Sequence, residues 1–293
     1  MPTPDDVSFM IDETAEEIRE MRTHSSSVVA VKAADALREL LDRDFATVEE
    51  YVRSLERNSS ALRRAQSSHA TLFNTQREIV GRVEDGEFGT IDAAKAATEA
   101  AIDDVIASVE TAKHDAAANA VDLLPDGTTL LTHDYSSTVV EAIELAARKG
   151  NHLEVFVTEA RPRYLGRKAA RRLAEIDRVD VTLVVDSAAG HYLDECDRVL
   201  CGMSSIVERT LYNRVGTFPI ASAAAELAVP VSVVGASEKR IDEGFVFENE
   251  FRPPAEVMRE PAEGFSVGNP AYDATPLHLV ESVVTENGVE RLG

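Results

Sequence analysis

The sequence predicts an α/β protein in two parts, an N-terminal α-helical domain over residues 1–122 followed by a parallel-sheet domain over residues 123–293. Three observations predict it. The chain has 293 residues, 44% of them apolar, which is enough for two cores at ~150 residues per domain. Before the turn LLPDGT (Leu123 to Thr128), apolar residues recur at helical spacing, and no proline falls between Pro4 and Pro125. After that turn, short apolar runs alternate with helical periods, the pattern of βαβ units.

In the first part, Ala30, Ala33, Ala34, Leu37, Leu40 and Leu41 lie at helical spacing, and Val52, Leu55 and Leu62 continue it. Leu72, Ile79 and Val80 follow, and Ile91 to Val121 is an alanine-rich helix, with Asp85-Gly86 and Gly89 as the breaks. In the second part, strands are expected at Thr129–Thr132, Leu153–Val157, Val179–Val185, Arg198–Cys201 and Val231–Val234. Helices are expected at Val139–Arg148, Gly166–Ala174, around Leu193 and at Pro219–Leu227. This is a Rossmann-like arrangement, whose ligands sit at the carboxyl edge of the sheet.

Composition excludes several classes. No apolar run approaches the ~20 residues of a membrane span, and MPTPDDVSFM is not a signal peptide. Cys196 and Cys201, the two cysteines, make neither a disulfide framework nor a zinc knuckle, so a reducing cytoplasm is expected. The histidines other than His133 lack metal spacing, and neither a metal nor a cofactor is expected. The 52 carboxylates against 30 basic residues leave a net charge of −22, which repels nucleic-acid phosphates and argues against DNA binding. Only six of those 30 are lysine. This balance fits a salt-adapted (halophilic) protein, since at ~1 M salt the Debye length is about 3 Å. An ordinary acidic protein is the other reading.

The strand exits carry the candidate site. They read Thr132-His133-Asp134-Tyr135-Ser136-Ser137-Thr138, Thr158-Glu159-Ala160-Arg161-Pro162, Asp186-Ser187-Ala188-Ala189-Gly190, Gly202-Met203-Ser204-Ser205, and Gly235-Ala236-Ser237-Glu238-Lys239, with Asn213-Arg214-Val215-Gly216-Thr217 after the fourth. Arg, Lys, Ser, Thr and helix N-termini together suit a phosphate. There is neither a GxGxxG after the first strand nor a Walker motif, which disfavours dinucleotides and NTPs. Thr138 to Glu141 fits a capping box, so Ser137 and Thr138 read as caps more readily than as ligands. His133 reads equally as a ligand or as an imidazole bonded to backbone. Asp134 is a carboxylate base or a helix-terminus acid, and Arg161 an anion ligand or an ion-pair partner. The cysteines read as small buried hydrophobes.

THDYSS, VTEARP, DSAAG, NRVGT and the NPAYDATP of Asn269 to Pro276, in this order, with TENGV at Thr285 to Val289, carry a resemblance. From about Leu130 to Val289 the chain resembles the alpha/beta/delta subunits of eukaryotic translation initiation factor 2B. That superfamily also holds archaeal ribose-1,5-bisphosphate isomerases and methylthioribose-1-phosphate isomerases. In its isomerases, the resemblance implies a proton-moving Cys after the first strand and an Asp after the fourth. Here Asp134 and Ser204 stand at those positions. A serine hydroxyl is no base near pH 7 without a partner, and Asp134 repels a phosphorylated ligand by about 4 kcal/mol at ~4 Å and an effective dielectric of ~20. Arg22 to Ser27 also departs from the Arg-Gly phosphate segment of the isomerases. Asn213, Arg214 and Asp273 match the family pattern, and His133, Tyr135 and Ser136 match the non-catalytic subunits.

The resemblance therefore implies a non-catalytic, alpha-type regulatory subunit in translation initiation. It would form a homodimer or higher oligomer, meet other initiation-factor subunits, and hold a phosphorylated sugar or nucleotide through His133, Tyr135, Ser136, Arg161, Asn213, Arg214 and Asp273. The alternative is an aldose–ketose isomerase acting on ribose 1,5-bisphosphate, with Asp134 as base and Glu208 or Asp186 as the second group.

Overall fold

The computed structural model describes residues 8–19, 26–65, 69–241, 247–260 and 263–292. The chain divides into two compact units, 1–111 and 112–293. Of the Arg22 to Ser27 segment, residues 22–25 lie outside the described residues.

The first unit is helical: α1 (Ser8–Arg19), α2 (Ser26–Ala36), α3 (Val48–Ala65), α4 (Ala70–Glu84) and the first part of α5 (Ile91–Ala120). Its core is the stripe expected from the spacing, with Leu37, Leu40, Leu55, Leu62, Leu72, Ile79 and Ile102 all fully buried. Tyr51 is equally buried, and its hydroxyl donates to Thr98 Oγ1 at 2.7 Å, so the phenol enters the core with its polar end satisfied. Thr47 caps α3 through the Glu50 amide (3.1 Å), while Glu50 reaches back to the Ala46 amide (2.9 Å).

The second unit is built on a seven-stranded sheet. Its elements are β1 (Thr128–His133), α6 (Ser137–Arg148), β2 (Leu153–Thr158), α7 (Leu165–Leu173), β3 (Val179–Val184), the single turn α8 (Ala189–Tyr192) and β4 (Arg198–Gly202). Then come β5 (Ser205–Val207), β6 (Thr210–Arg214), α9 (Thr217–Glu226), β7 (Val231–Val234), β8 (Arg240–Ile241), β9 (Tyr272–Pro276), β10 (Ser282–Thr285) and β11 (Gly288–Arg291). The large sheet has the order β11-β10-β7-β4-β1-β2-β3, parallel except where β11 pairs antiparallel with β10. Alternate side chains go to opposite faces. Leu130, Val155 and Leu200 pack with α6, α7 and the end of α5, whereas Leu131, Phe156 and Val199 pack with the α9 side. The end of α5 (Ala116, Ala117, Ala120) belongs to the sheet core, which is why the division falls before the LLPDGT turn.

Chain order reverses between β1 and β4, so the crevice at their carboxyl ends is the topological switch point. A smaller four-stranded sheet, β8-β5-β6-β9, stands beyond β4. Its register sets Asn213 opposite Asp273 and Arg214 opposite Tyr272.

Candidate functional site

At the switch point, β1 delivers His133 and Asp134. His133 is buried, its Nε2 lies 2.9 Å from the Val215 carbonyl, and its Nδ1 lies 2.6 Å from Thr158 Oγ1. A carbonyl only accepts, so Nε2 carries the proton and Nδ1 accepts from the threonine hydroxyl. Both ring nitrogens are therefore engaged, and the imidazole braces the loop that follows β6. Gly216, at φ 112°, passes so close that an added Cβ would lie 2.7 Å from the ring.

Asp134 itself has φ 65° and sends Oδ2 to Arg214 Nε at 3.1 Å, a pair with side chains only 16% and 12% exposed. Its other oxygen, Oδ1, is buried and receives no hydrogen bond among the described residues. Burial works against the Arg214 charge, but Asp134 outweighs it and raises the guanidinium further above its ordinary value. Arg214 also lies 5.0 Å from the centre of the Tyr272 ring. Asp134 and Arg214 line a narrow cleft, with room for about one water molecule, together with Arg161, Arg163, Arg252 and Glu256. Burial lowers Arg163, and Arg252 and Arg214 lower it further by like-charge repulsion. Arg252 is clamped at 2.8 Å by both Glu250 and Glu256.

The other expected residues divide by placement. Arg161 joins the cleft, its Nη2 donating to the Val257 carbonyl at 3.2 Å. Asn213 turns away from it: Nδ2 donates to the Gly202 carbonyl and Oδ1 accepts from Ser204 Oγ, both at 3.0 Å, so the two side chains hold β6 to the end of β4. Asp273 caps α9, accepting the amides of Gly216 (2.8 Å) and Phe218 (3.0 Å) with Oδ2. Burial raises the Asp273 carboxyl, against those two amide bonds. Tyr135 faces α7, with Lys168 Nζ 4.2 Å from its ring centre. Ser136 is the N-cap of α6, accepting the Val139 amide at 3.3 Å, and an added Cβ on Gly202 would lie 2.5 Å from its hydroxyl. The expected capping box at Thr138 is thus replaced by a cap two residues earlier; Thr138 is buried, and Glu141 pairs with Lys113 and His114 instead.

Neither expected second group is placed for proton transfer. Asp186 spends both oxygens on the Ala160 and Arg161 amides, each at 2.7 Å, and Glu208 is exposed at the β5–β6 turn. The group that the sequence reading passed over is Lys239, at the exit of β7. It is 7% exposed, lies beside Met203, and its ammonium meets no hydrogen-bond or ion-pair partner among the described residues. Burial lowers it to about 8. Its position in a strand exit was the available signal; its burial was not. Cys201 and Cys196 are both pushed up to about 12 by burial, which makes them inert hydrophobes at neutral pH. Among the described residues, no group of three or more His, Cys, Asp and Glu could hold a metal.

The Haloferax volcanii protein named ribose 1,5-bisphosphate isomerase is 32% identical over 284 residues, covering 94% of this chain and 87% of that one. The Thermococcus kodakarensis protein of the same name is 30% identical, covering 94% and 89%. Among solved structures, the fold matches the Pyrococcus horikoshii OT3 protein described as translation initiation factor eIF-2B (TM-score 0.81, 22% identity, 99% and 98% covered). It also matches 5-methylthioribose 1-phosphate isomerase from the same organism (TM-score 0.80, 22% identity, 96% and 84% covered). The names of the sequence relatives overturn the expectation of a non-catalytic translation subunit. That expectation equated the loss of two residue types with the loss of their chemistry, while Asp134, with one buried oxygen unpartnered among the described residues, and the buried Lys239 stand at strand exits of the same sheet. The family model for the Initiation factor 2 subunit family matches residues 22–291, and the chain belongs to that family.

Proposed function

We propose that the protein is an aldose–ketose isomerase that acts on a phosphorylated pentose, ribose 1,5-bisphosphate, at the carboxyl edge of β1, β4 and β7. One observation carries the reading: Asp134 is anchored through Oδ2 to Arg214 while Oδ1 receives no hydrogen bond, at the switch point of the sheet. An anchored carboxylate whose second oxygen has no hydrogen-bond donor is a proton acceptor in a fixed direction for a substrate that reaches it. The names of the relatives support the same substrate.

In the isomerisation the furanose opens at C1, O4 and C1 each gain a proton, and C2 and its hydroxyl each lose one. Asp134 takes the proton from C2. Asp134, protonated by that step, returns the proton to the neighbouring carbon C1, while the positive charge of Lys239, which titrates at about 8, favours the developing enolate. β7 and β1 are separated by β4, so Lys239 stands about two strand spacings from Asp134 and its charge acts on the C1–C2 bond through the field of the sheet edge, not by contact. Arg214, Arg161 and Arg163 offset the repulsion between Asp134 and the substrate phosphates. We also infer a cytoplasmic oligomer, in keeping with two buried free thiols and with the tetrameric beta2-delta2 complex among the structural neighbours.

The test follows ribulose 1,5-bisphosphate formation from ribose 1,5-bisphosphate. Turnover is expected, reduced at least ~100-fold in Asp134→Asn, as for a lost general base. kcat is expected to fall as pH rises through about 8, and that limb should vanish in Lys239→Met. Absence of turnover by the folded wild-type protein would sink the proposal.

A further inference from the structure

The cleft at Asp134 gathers positive charge in a protein whose net charge is −22. Arg161, Arg163, Arg214 and Arg252 line it, against the carboxylates of Asp134 and Glu256. Those two carboxylates do not balance Arg163, which burial and the charges of Arg252 and Arg214 still lower. Yet the cleft has room for about one water molecule, far less than a phosphate group needs. Glu256 fills the space. Its Oε1 accepts from Arg252 Nη2 at 2.8 Å and its Oε2 from Asn269 Nδ2 at 3.2 Å. Asn269 is buried, and the Arg252 side chain is only 11% exposed. Burial works against the Glu256 charge, but Arg252 outweighs it, helped by Asn269 and Arg163, and the carboxyl stays below its ordinary range.

Glu256 arrives on a strap, residues 253–258, that the core does not hold. Pro253, Pro254, Ala255, Val257 and Met258 are all exposed, so apolar burial does not fix it. Polar contacts do: Asn269 Nδ2 donates to the Pro253 carbonyl and Arg161 Nη2 to the Val257 carbonyl, both at 3.2 Å. The chain just before the strap is pinned, with the Arg252 amide on the Asn269 carbonyl and the Ala271 amide on the Glu250 carbonyl, both at 2.8 Å. The groups that hold the strap down are thus guanidinium and amide donors, the same kinds that bind a phosphate.

We propose that Arg163, Arg252 and Asn269 form a subsite for one phosphate group of the substrate, and that the Glu256 carboxylate occupies this subsite until phosphate displaces it and frees the strap. The inference rests on the reading of the substrate as a sugar bisphosphate. Both occupants are anions on the same donors, so charge decides between them. A phosphate monoester carries about −1.5 to −2 and three acceptor oxygens, against a single charge and two oxygens for a carboxylate. The tether gives Glu256 the advantage over any free carboxylate, while a dianion gains more from the surrounding guanidiniums. The subsite therefore selects phosphate monoesters over sugar acids.

Calorimetric titration of the full-length protein with inorganic phosphate, at constant ionic strength, tests the subsite without turnover. Glu256→Gln is expected to bind phosphate about tenfold more tightly than wild type, the gain due when the resting subsite is ~10% open. Arg163→Met, added to Glu256→Gln, is expected to lose that gain. In the wild type, trypsin cleavage after the exposed Arg259 is expected to quicken at least ~3-fold as phosphate saturates, because cleavage follows the population of the released strap. Equal phosphate affinity in wild type and folded Glu256→Gln would overturn the proposal. So would cleavage at Arg259 that phosphate leaves unchanged or slows. Strap release by phosphate in a protein that fails to turn over ribose 1,5-bisphosphate would keep the subsite and sink the isomerase reading; turnover with an unmoved strap would do the reverse.

Discussion

Burying the Lys239 ammonium costs stability that pH can return. Its folded value is about 8 against 10.5 for the free side chain, so between those two pH values the unfolded chain holds more protons than the folded one. Stability therefore rises with pH through that window, and at pH 7 the penalty is on the order of 3 kcal/mol. Lys239→Met should stabilise the protein at pH 7 by up to about that amount and flatten the rise between pH 8 and 10. Urea denaturation of both proteins at three pH values measures it, and parallel pH profiles would show that Lys239 is not buried as described. A lysine retained at such a cost is the expected mark of a working group. At this scale the sequence was legible in position and not in role. Asp134 and Arg214 could be singled out because they follow strands at a sheet edge, and Asp273 because it lies in the NPAYDATP segment that carries the family resemblance. That His133 and Asn213 spend their polar atoms on the chain itself depends on contacts with Thr158, Val215, Gly202 and Ser204, which no spacing encodes.

Among the elements, the loop between β6 and α9 shows how a local motif is held by distant parts. Gly216 starts α9 at φ 112° against the His133 ring, and Asp273, from β9, takes two of the amides that the helix leaves unbonded. Gly216→Ala meets both a disfavoured backbone region and a ring contact of 2.7 Å, and should cost at least about 2 kcal/mol. Asp273→Ala should cost roughly 2 kcal/mol, as for a charged cap. Unfolding free energies within ~0.5 kcal/mol of wild type for both would refute the bracing. Five strands of the large sheet, β1, β2, β3, β4 and β7, were readable as short apolar runs, and Val231–Val234 coincides with its expectation, whereas the edge pair β10 and β11 was not expected. The smaller sheet was not. β5 has only three residues, β6 alternates in burial but sets the polar Asn213 at one of its two buried positions, and β8 and β9 are defined by pairing with them. The site depends on that sheet, because it is what carries Arg214 to Asp134.

For the molecule as a whole, the decisive quantity is the imbalance of 52 carboxylates against 30 basic groups. Salt acts on it in two opposed ways. Screening weakens attractive pairs such as Arg82–Asp104 and Arg172–Glu175, with partners 68% and 67% exposed, but exposed pairs of this kind are each worth only about 0–1 kcal/mol. Screening also removes the mutual repulsion of the unpaired carboxylates, which grows with the net charge of −22 and opposes the compact state. With so large an excess of one sign, the second effect wins. The melting temperature should rise by at least ~5 °C between about 0.1 M and about 1 M KCl, most of it below ~0.5 M, where the Debye length shrinks fastest. Sucrose strengthens burial without screening, so it should raise the melting temperature gradually, with no early steep phase. A melting temperature that stays flat or falls as KCl is added would mean that the carboxylates are spaced widely enough, or paired well enough, for attraction to dominate. The acidic surface would then be no adaptation to salt.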